Sequence, residues 1–407
     1  MAVIRPFRAV RPVPAAAPRV AAVPYDVVDT EEARALAADN PLSFLHVSRA
    51  EIDLPAGIDP HDDVVYRTAA DRYRALKHEA PFVQEAESSI YLYHLELDGH
   101  SQTGVAACYS LAEYDGNVIK KHERTRKDKE DDRTRHIVDL RAQTGPVFLA
   151  HRPNPAVDEL SQRVRAGEPL VDFTAVDGVR HAIWKVDAQH TQAFVNAFTA
   201  IDALYIADGH HRAASAGRAR ELVRDSEDVG FFLAVAFPSD QLRILPYNRV
   251  VRDLKGMTPG HFLTEVARRF TMTPGSATPR KKGEVSMYVS GKWHTVDLAS
   301  AGATGTSVID TLDGNILQER LLTPVLGIQD VRTDKRIDFV GGAKGTHTLE
   351  QLVDSGKMAV AFSMYPVSLV ELMDVSDAGE IMPPKSTWFE PKLRDGLLIH
   401  VIQSKPG

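Results

Sequence analysis

An acid, two imidazoles and a guanidinium stand in succession at Asp208-Gly209-His210-His211-Arg212. The apolar residues 203–207 before them are typical of a short buried strand, and residues 212–223 favour a helix. Gly209 permits the tight turn that such a junction needs. Because a helix N-terminus offers free N–H groups to an anion, the segment predicts a phosphate-binding turn with an acid beside it. The alternative interpretation is a plain turn and helix cap, since adjacent histidines point in different directions on a helix.

A second cluster of charge lies at residues 120–127, Lys-Lys-His-Glu-Arg-Thr-Arg-Lys. Its cations would suit the phosphates of a donor: Lys121, Arg124 and Arg126. Glu123, a carboxylate among these cations, could position a hydroxyl and take its proton during phosphoryl transfer. The acidic residues that follow at 128–132 could instead pair with neighbouring cations on a solvated helix.

A loop stiffened by two prolines, residues 382–389, offers an ammonium and two hydroxyls at Lys385, Ser386 and Thr387. These groups suit phosphate oxygens, but the glycine-rich approach of a Walker motif is missing. Short polar groups form a further set of candidates for holding a small zwitterionic substrate: Tyr25, Ser43, His46, His122 and Asn248. A capped helix end would explain Ser43 and His46 almost as well.

The elements that must position these residues alternate between helices and strands. Helices are predicted at 30–38, 62–78, 136–143, 212–223, 261–270, 316–322 and 349–354, and strands at 89–97, 102–111, 147–150, 182–186, 204–207, 229–237 and 358–362. Residues 271–282, rich in Pro, Gly, Thr and Lys, are the best linker candidate. The mixture predicts an α/β (α+β mixed) fold with a core at 1–251 and a C-terminal α/β region at 252–407 that returns the 382–389 loop to the active site.

The composition is that of an ordinary globular protein of 407 residues, with 43% hydrophobic and 25% charged residues. The formal net charge of -7 argues against a general nucleic-acid surface. The single cysteine, Cys108, precludes a disulfide within the chain and fits a reducing cytoplasm. No apolar run is long enough to span a bilayer, so a cytoplasmic protein without membrane partners is expected. The oligomeric state stays open.

Several short sequence motifs occur together in this chain: PYDV at 24–27, NPLSFLHVSR at 40–49, KHERT at 121–125, YIADGHHRAASA at 205–216, PYNRVV at 246–251, SMYPVS at 363–368 and MPPKSTWFEPK at 382–392. They resemble a widespread bacterial family long catalogued only as a domain of unknown function, and the resemblance runs over almost the whole chain. The DGHHR element is similar to the phosphate-binding turn of the ParB/sulfiredoxin superfamily, whose free-serine kinases carry a similar turn. The resemblance implies a ParB/sulfiredoxin-like catalytic core.

The resemblance also implies an activity, the phosphorylation of free L-serine to O-phospho-L-serine. In these kinases a glutamate is the base and the turn binds the donor's phosphates, so Glu123 is the expected base and Asp208 lies on the turn. A Mg²⁺ ion is expected, with Asp208 as its ligand. Inorganic pyrophosphate is the expected donor, because dense cations suit a compact and highly charged molecule, and ADP or ATP is the alternative.

Two alternatives from other classes stay open. A metal-dependent hydrolase, such as a phosphoserine phosphatase, would use His122, Asp208, His210 and His211 as ligands. A ParB-like nucleotide-binding or DNA-binding protein would bind duplex DNA in a salt-sensitive manner. The acidic net charge and the lack of a helix-turn-helix pattern make DNA binding the less favoured of the two.

Overall fold

The computed structural model describes residues 1–79, 82–302 and 305–404. The α-helices in chain order are α1 Ala17–Val20, α2 Thr30–Ala37, α3 Leu45–Ser48, α4 Asp63–Glu79, α5 Leu111–Asp115, α6 Lys127–Leu140, α7 Pro155–Arg165, α8 Ala188–Thr199, α9 His210–Leu222, α10 Pro259–Ala267, α11 Asp313–Leu317, α12 His347–Asp354 and α13 Leu369–Asp377. A π-helical segment, Gln318–Leu326, continues α11.

The strands in chain order are β1 Ile4–Arg5, β2 Val10–Pro12, β3 Phe82–Gln84, β4 Tyr91–Leu97, β5 His100–Ser110, β6 Ile119–Lys120, β7 Ala142–Gln143, β8 Val147–His151, β9 Val171–Thr174, β10 Arg180–Lys185, β11 Leu204–Asp208, β12 Phe231–Pro238, β13 Ile244–Leu245, β14 Tyr247–Val251, β15 Thr271–Pro274, β16 Glu284–Val289, β17 Lys292–Asp297, β18 Ile337–Gly341, β19 Val360–Met364, β20 Trp388–Phe389 and β21 His400–Val401. Helices and strands are thus mixed along the chain, and the predicted α/β class is confirmed.

The chain divides into two compact units. Unit 1 comprises residues 1–242 and returns from Pro391 onward, and unit 2 comprises Arg243–Glu390. The boundary predicted at 251/252 is corrected to 242/243, because β14 pairs with both β18 and β19 inside the sheet of unit 2. The predicted linker at 271–282 is also corrected in part, since β15 at its start pairs with β17.

Unit 1 is built on a nine-stranded sheet in the order β6-β11-β8-β12-β5-β4-β10-β9, with β1 paired to β5. Seven of the eight residues of β12 are buried, as expected for an apolar strand covered on both faces. β6 runs parallel to β11, and β8 runs parallel to β12. This order places the carboxyl end of β11 next to that of β6, from which the charged segment 121–126 departs.

Two of the apolar clusters formed by the described residues stabilise unit 1. The larger one covers the sheet with residues of α8 and α9, including Phe194, Phe198 and Ala213, each 0% exposed. The smaller one joins α2, α3 and α4 around Phe44. Burial of this kind contributes about 25 cal/mol per Å² of apolar surface.

Helix α6 begins inside the charged segment and packs against α9. Its exposed residues form local pairs, as the solvated-helix interpretation predicts, for example Lys127 with Asp131 at 2.8 Å. Asp132, in contrast, is buried, accepts a hydrogen bond from the Tyr66 hydroxyl at 2.8 Å and pairs with Arg133 at 2.8 Å. The segment is therefore solvated on one face only, and the other face packs into unit 1.

Unit 2 contains a six-stranded sheet in the order β15-β17-β16-β19-β14-β18 and a two-stranded pair of β13 with β20. Its core combines α10, the segment from α11 to the π-helix, and the inner strands. Across the described parts of both units, every helix is too short or too polar to cross a bilayer.

Candidate active site

The predicted turn joins the end of β11 to the start of α9. Gly209 has φ 92°, in the left-handed region, and a Cβ atom there would lie 3.0 Å from Nε of Arg212. Glycine is needed both for this conformation and for the guanidinium that packs over it. The first backbone hydrogen bond of α9 runs from the Ala213 N–H to the Gly209 carbonyl. The N–H groups of residues 210–212 have no partner within the helix and are available to an anion.

Both histidines of the turn hold the loop of residues 121–126. Nε2 of His210 accepts a long hydrogen bond of 3.5 Å from the N–H of His122. Nε2 of His211 accepts a hydrogen bond of 3.1 Å from the N–H of Arg126. One imidazole therefore secures each end of the loop. The two charged segments singled out in the sequence lie side by side, and their histidine nitrogens are used to fix the loop.

The His210 ring lies between His122 and the carboxylate of Glu123. The two imidazoles meet edge to face with centroids 4.5 Å apart. Nδ1 of His210 is 3.7 Å from Oε2 of Glu123, whose side chain is 48% exposed. Since Nε2 of His210 is an acceptor, the neutral ring carries its proton on Nδ1, toward Glu123. The arrangement leaves an accessible carboxylate beside the open end of α9.

Burial keeps these two histidines uncharged. It lowers the pKa of His122 to about 4 and lowers the pKa of His210 well below its ordinary value. The like charge that a protonated His122 would carry lowers the pKa of His210 further. Near pH 7 both rings are therefore neutral, and the His210 ring lies beside Glu123 as an uncharged group.

Asp208 is held by a lysine that the sequence analysis did not single out. Nζ of Lys392 donates to Oδ2 of Asp208 at 2.8 Å, with side-chain exposures of 13% and 25%. Burial raises the pKa of Asp208, but Lys392 and Arg212 outweigh it and hold this pKa well below its ordinary value. Asp208 is therefore ionised. Because 184 residues separate Asp208 from Lys392 along the chain, their spacing in the sequence does not indicate the contact. Lys392 is nevertheless the last residue of the motif at 382–392.

Tyr25 lies behind the turn with two guanidinium groups. Cζ of Arg133 is 4.2 Å from the centroid of the Tyr25 ring, and both residues line one cavity with Arg212. The carboxylate of Asp395, which is 3% exposed, reaches the same cavity. Arg133, which follows the acidic residues 128–132 in the helix interpreted as solvated, was not among the predicted site residues. Nothing in the pattern around Asp395 pointed to it.

The three predicted loop cations are engaged differently. Arg126 pairs with Asp128 at 2.7 Å. Nζ of Lys121 lies 3.9 Å from the centroid of the Tyr114 ring, and burial lowers the pKa of Lys121. Arg124 is exposed and has no ion-pair partner within 1–79, 82–302 and 305–404. Arg124 is therefore the cation of this set that is most accessible to an anion.

Ser43 and His46 are engaged within their own segment. Nδ1 of His46 pairs with Asp53 at 2.8 Å, and Nε2 lies 3.2 Å from the carbonyl of Asn40. The Ser43 hydroxyl accepts a hydrogen bond from the Leu45 N–H at 3.3 Å. These contacts organise the start of α3 and favour the structural interpretation of the two side chains over the predicted binding of a zwitterion.

Asn248 belongs to unit 2 and is also used within the fold. It lies on β14 and is 2% exposed. Its Oδ1 accepts a hydrogen bond from the Met364 N–H at 3.0 Å, which ties β14 to β19 beyond their last backbone pair. The side chain that was predicted to contact substrate therefore stabilises the sheet of unit 2.

The proline-stiffened loop also lies in unit 2. Nζ of Lys385 is 5.4 Å from the centroid of the Tyr247 ring. The Ser386 hydroxyl donates to the Pro383 carbonyl at 2.6 Å. Phosphate binding by Lys385, Ser386 and Thr387, and the return of this loop to the active site, stay predictions.

A metal-dependent hydrolase would need His122, Asp208, His210 and His211 to converge as ligands. In the part of the chain that the structure describes, no three His, Cys, Asp or Glu side chains are arranged to hold a metal ion. The imidazoles of the turn accept hydrogen bonds from the loop backbone. The geometry therefore does not favour the hydrolase.

A family profile described as a protein of unknown function (DUF1015) matches residues 4–315. The chain belongs to the DUF1015 family. The resemblance to a family of unknown function is thereby confirmed, and both the turn and the loop of this DUF1015 chain lie inside the matched region. Comparison with curated proteins gives no match.

This DUF1015 chain is also similar to solved structures at low identity. A free serine kinase in complex with AMP is 14% identical with a TM-score of 0.35, and the alignment covers 74% of this chain and 91% of that chain. A variant of a free serine kinase in complex with ADP is 14% identical with a TM-score of 0.36, covering 74% and 92%. SbnI from Staphylococcus aureus, with a C-terminal truncation, is 12% identical with a TM-score of 0.40, covering 73% and 87%.

Proposed function

We propose that this protein is a phosphotransferase that phosphorylates free L-serine to O-phospho-L-serine. The observation that carries the proposal is the position of Glu123, an accessible carboxylate 3.7 Å from the His210 ring at the open N-terminus of α9. A base and an anion site side by side are the two parts that phosphoryl transfer to an alcohol requires. The similarity of the DGHHR turn to that of free-serine kinases indicates that the acceptor alcohol is free L-serine.

The donor binds through its phosphates. The N–H groups of residues 210–212, which have no partner within α9, and the exposed guanidinium of Arg124 supply donors and positive charge to phosphate oxygens. Inorganic pyrophosphate is our preferred donor because these groups are suited to bind phosphate oxygens and not a nucleoside. ADP and ATP are the alternatives. Mg²⁺ commonly binds through one or two carboxylates together with substrate phosphates, so Asp208 is the side chain that would hold it.

In the proposed reaction the hydroxyl oxygen of serine attacks the terminal phosphorus of the donor. A new O–P bond forms while the bridging P–O bond breaks, and phosphate (or a nucleotide) leaves with the bond's electrons. Glu123 accepts the proton of the hydroxyl. Because the His210 ring is neutral, it adds no positive charge beside the Glu123 carboxylate.

The first experiment is an assay for O-phosphoserine from L-serine and Mg²⁺ with pyrophosphate, ADP or ATP in parallel. Product that requires one of these donors is the expected result and identifies it. Absence of product with all three would overturn the proposal. Release of phosphate from O-phosphoserine in water, without a phosphate acceptor, would instead support the hydrolase.

Glu123→Gln tests the base. The substitution keeps the shape of the side chain and removes its basicity, so we expect kcat to fall by about 10²–10⁴-fold while donor affinity is retained. Glu159→Gln is the matched control, because Glu159 is an exposed carboxylate on α7 with 65% of its side chain accessible. Equal kcat values for the two variants would remove Glu123 from the mechanism.

A further inference from the structure

A small cavity lies directly behind the phosphate turn in unit 1. Its volume is about 40 Å³, and its polar lining consists of Tyr25, Ser48, Arg133, His136, Gln143, Thr144, Arg212 and Asp395. Since a single water needs about 10–15 Å³ of such space, a cavity of this size accepts a few ligand atoms. Arg212 connects it to the turn, because the same guanidinium packs over Gly209.

Three residues of this lining each carry a buried polar atom that has no hydrogen-bond partner among the described residues. They are the Ser48 hydroxyl, Nε of Arg212 and Oδ1 of Asp395. Ser48 and Asp395 are each 3% exposed. Buried polar groups in native proteins are nearly always satisfied, so three unsatisfied atoms around one cavity indicate that a polar ligand completes them.

The lining carries charges of both signs. Arg212 and Arg133 supply guanidinium groups from α9 and α6, and Arg133 is fixed by its pair with Asp132 at 2.8 Å. The Asp395 carboxylate makes no ion pair with either guanidinium in the described part of the chain, although it lines the same space. A free phosphate would meet an opposing carboxylate here, whereas a zwitterion would find a partner for each of its charges.

The electrostatic state of Asp395 is consistent with a cationic ligand. Burial, helped by the neighbouring Asp26, raises its pKa to about 7 against the lowering effect of Arg212, Arg133 and Arg394. Those guanidinium groups are therefore insufficient to keep the buried carboxylate fully ionised at neutral pH. An ammonium group placed against it would favour the ionised form.

We propose that this cavity is the acceptor subsite, which binds the ammonium and carboxylate groups of a small free α-amino acid. Asp395 accepts hydrogen bonds from the ammonium group, and Arg212 and Arg133 donate to the carboxylate. The inference rests on the proposed function and identifies the side chains that bind the charged groups of the substrate. Because Arg212 also borders the turn, an amino acid held in this cavity has its side chain close to the donor site.

Ligands that lack one charge test the proposal with the unaltered protein. Isothermal titration calorimetry is done at pH 7.5 with L-serine, L-alanine, 2-aminoethanol and 3-hydroxypropanoate. L-serine and L-alanine carry both charged groups and are expected to bind within about fivefold of each other. The other two lack the carboxylate or the ammonium group and are expected to bind at least about tenfold more weakly. Binding of either one as tightly as L-serine would overturn the assignment.

Asp395→Asn tests the ammonium contact separately. The variant is expected to bind L-serine at least about tenfold more weakly while its affinity for 3-hydroxypropanoate is not reduced. Glu159→Gln is the control, and thermal denaturation of both variants verifies that they are folded. Unchanged L-serine affinity in a folded Asp395→Asn protein would contradict the proposal, and the ligand series above decides the matter if the variant is unfolded.

The two proposals fail in different ways. O-phosphoserine formation with a KM for serine that Asp395→Asn does not change would refute the acceptor subsite and leave the kinase intact. Charge-selective binding of L-serine and L-alanine without phosphoryl transfer from any donor would refute the kinase and support the subsite.

Discussion

Replacement of Asp395 by Asn should make the protein more stable at alkaline pH. The buried carboxyl has a pKa of about 7 in the folded protein, against about 3.9 in an unfolded chain. Between these values the folded state binds more protons, so the stability of the wild-type protein falls as pH rises from 4 to 7. A difference of about three in pKa corresponds to a free energy of unfolding on the order of 4 kcal/mol. The amide does not ionise, so the variant lacks this decrease in stability.

Urea denaturation at pH 5, 6, 7 and 8 without added amino acids measures the effect. The difference in unfolding free energy between Asp395→Asn and wild type should rise from pH 5 to pH 7 and level off toward pH 8. An imperfect fit of the amide in the buried site shifts this difference by the same amount at every pH, so the dependence of the difference on pH is unchanged. Glu159→Gln, on the surface, should track the wild type within about 0.5 kcal/mol. A difference that is flat or falls with pH would show that the guanidinium groups keep Asp395 ionised, and the reasoning would be refuted.

Three further substitutions test the site. Lys392→Met should lower the unfolding free energy by about 1–3 kcal/mol in urea titrations, because Asp208 loses its partner in a partly buried pair; Lys392→Arg should recover part of the loss. Gly209→Ala should cost about 1–3 kcal/mol and lower kcat, since φ is 92° and the new methyl group would crowd Arg212; an unchanged Tm would contradict this account. Ser43→Ala should leave the calorimetric affinity for L-serine within about twofold, and a large loss would return Ser43 to the substrate site.

The sequence predicts the local parts of the site well. The strand, turn and helix around Gly209 follow from an apolar run, a glycine and a helix-forming segment, and each of these signals is contained within a few residues. The position of Glu123 beside His210 depends on the parallel pairing of β6 with β11. That pairing is a long-range contact, and the chemistry of the residues suggested the neighbourhood without establishing it.

The sequence does not predict which way a polar side chain faces. His46 and Asn248 were sensible candidates by residue type, yet both are used by the fold, one with Asp53 and the other with the backbone of Met364. Conversely, Arg133 appeared to belong to a solvated helix, although its side chain lines the cavity. Burial of a charged group depends on tertiary packing, to which composition and periodicity are insensitive.

The discontinuity of unit 1 has a consequence for synthesis on the ribosome. Lys392 and Asp395 are translated only after the 148 residues of unit 2, Arg243–Glu390. At about 5–20 residues per second, the first 242 residues wait about 7–30 s for the segment that neutralises Asp208 and closes the cavity. A nascent chain in that interval has the turn and the loop but neither of these two side chains. The proposed amino-acid binding should therefore begin only when the segment after Pro391 has left the ribosome and joined unit 1.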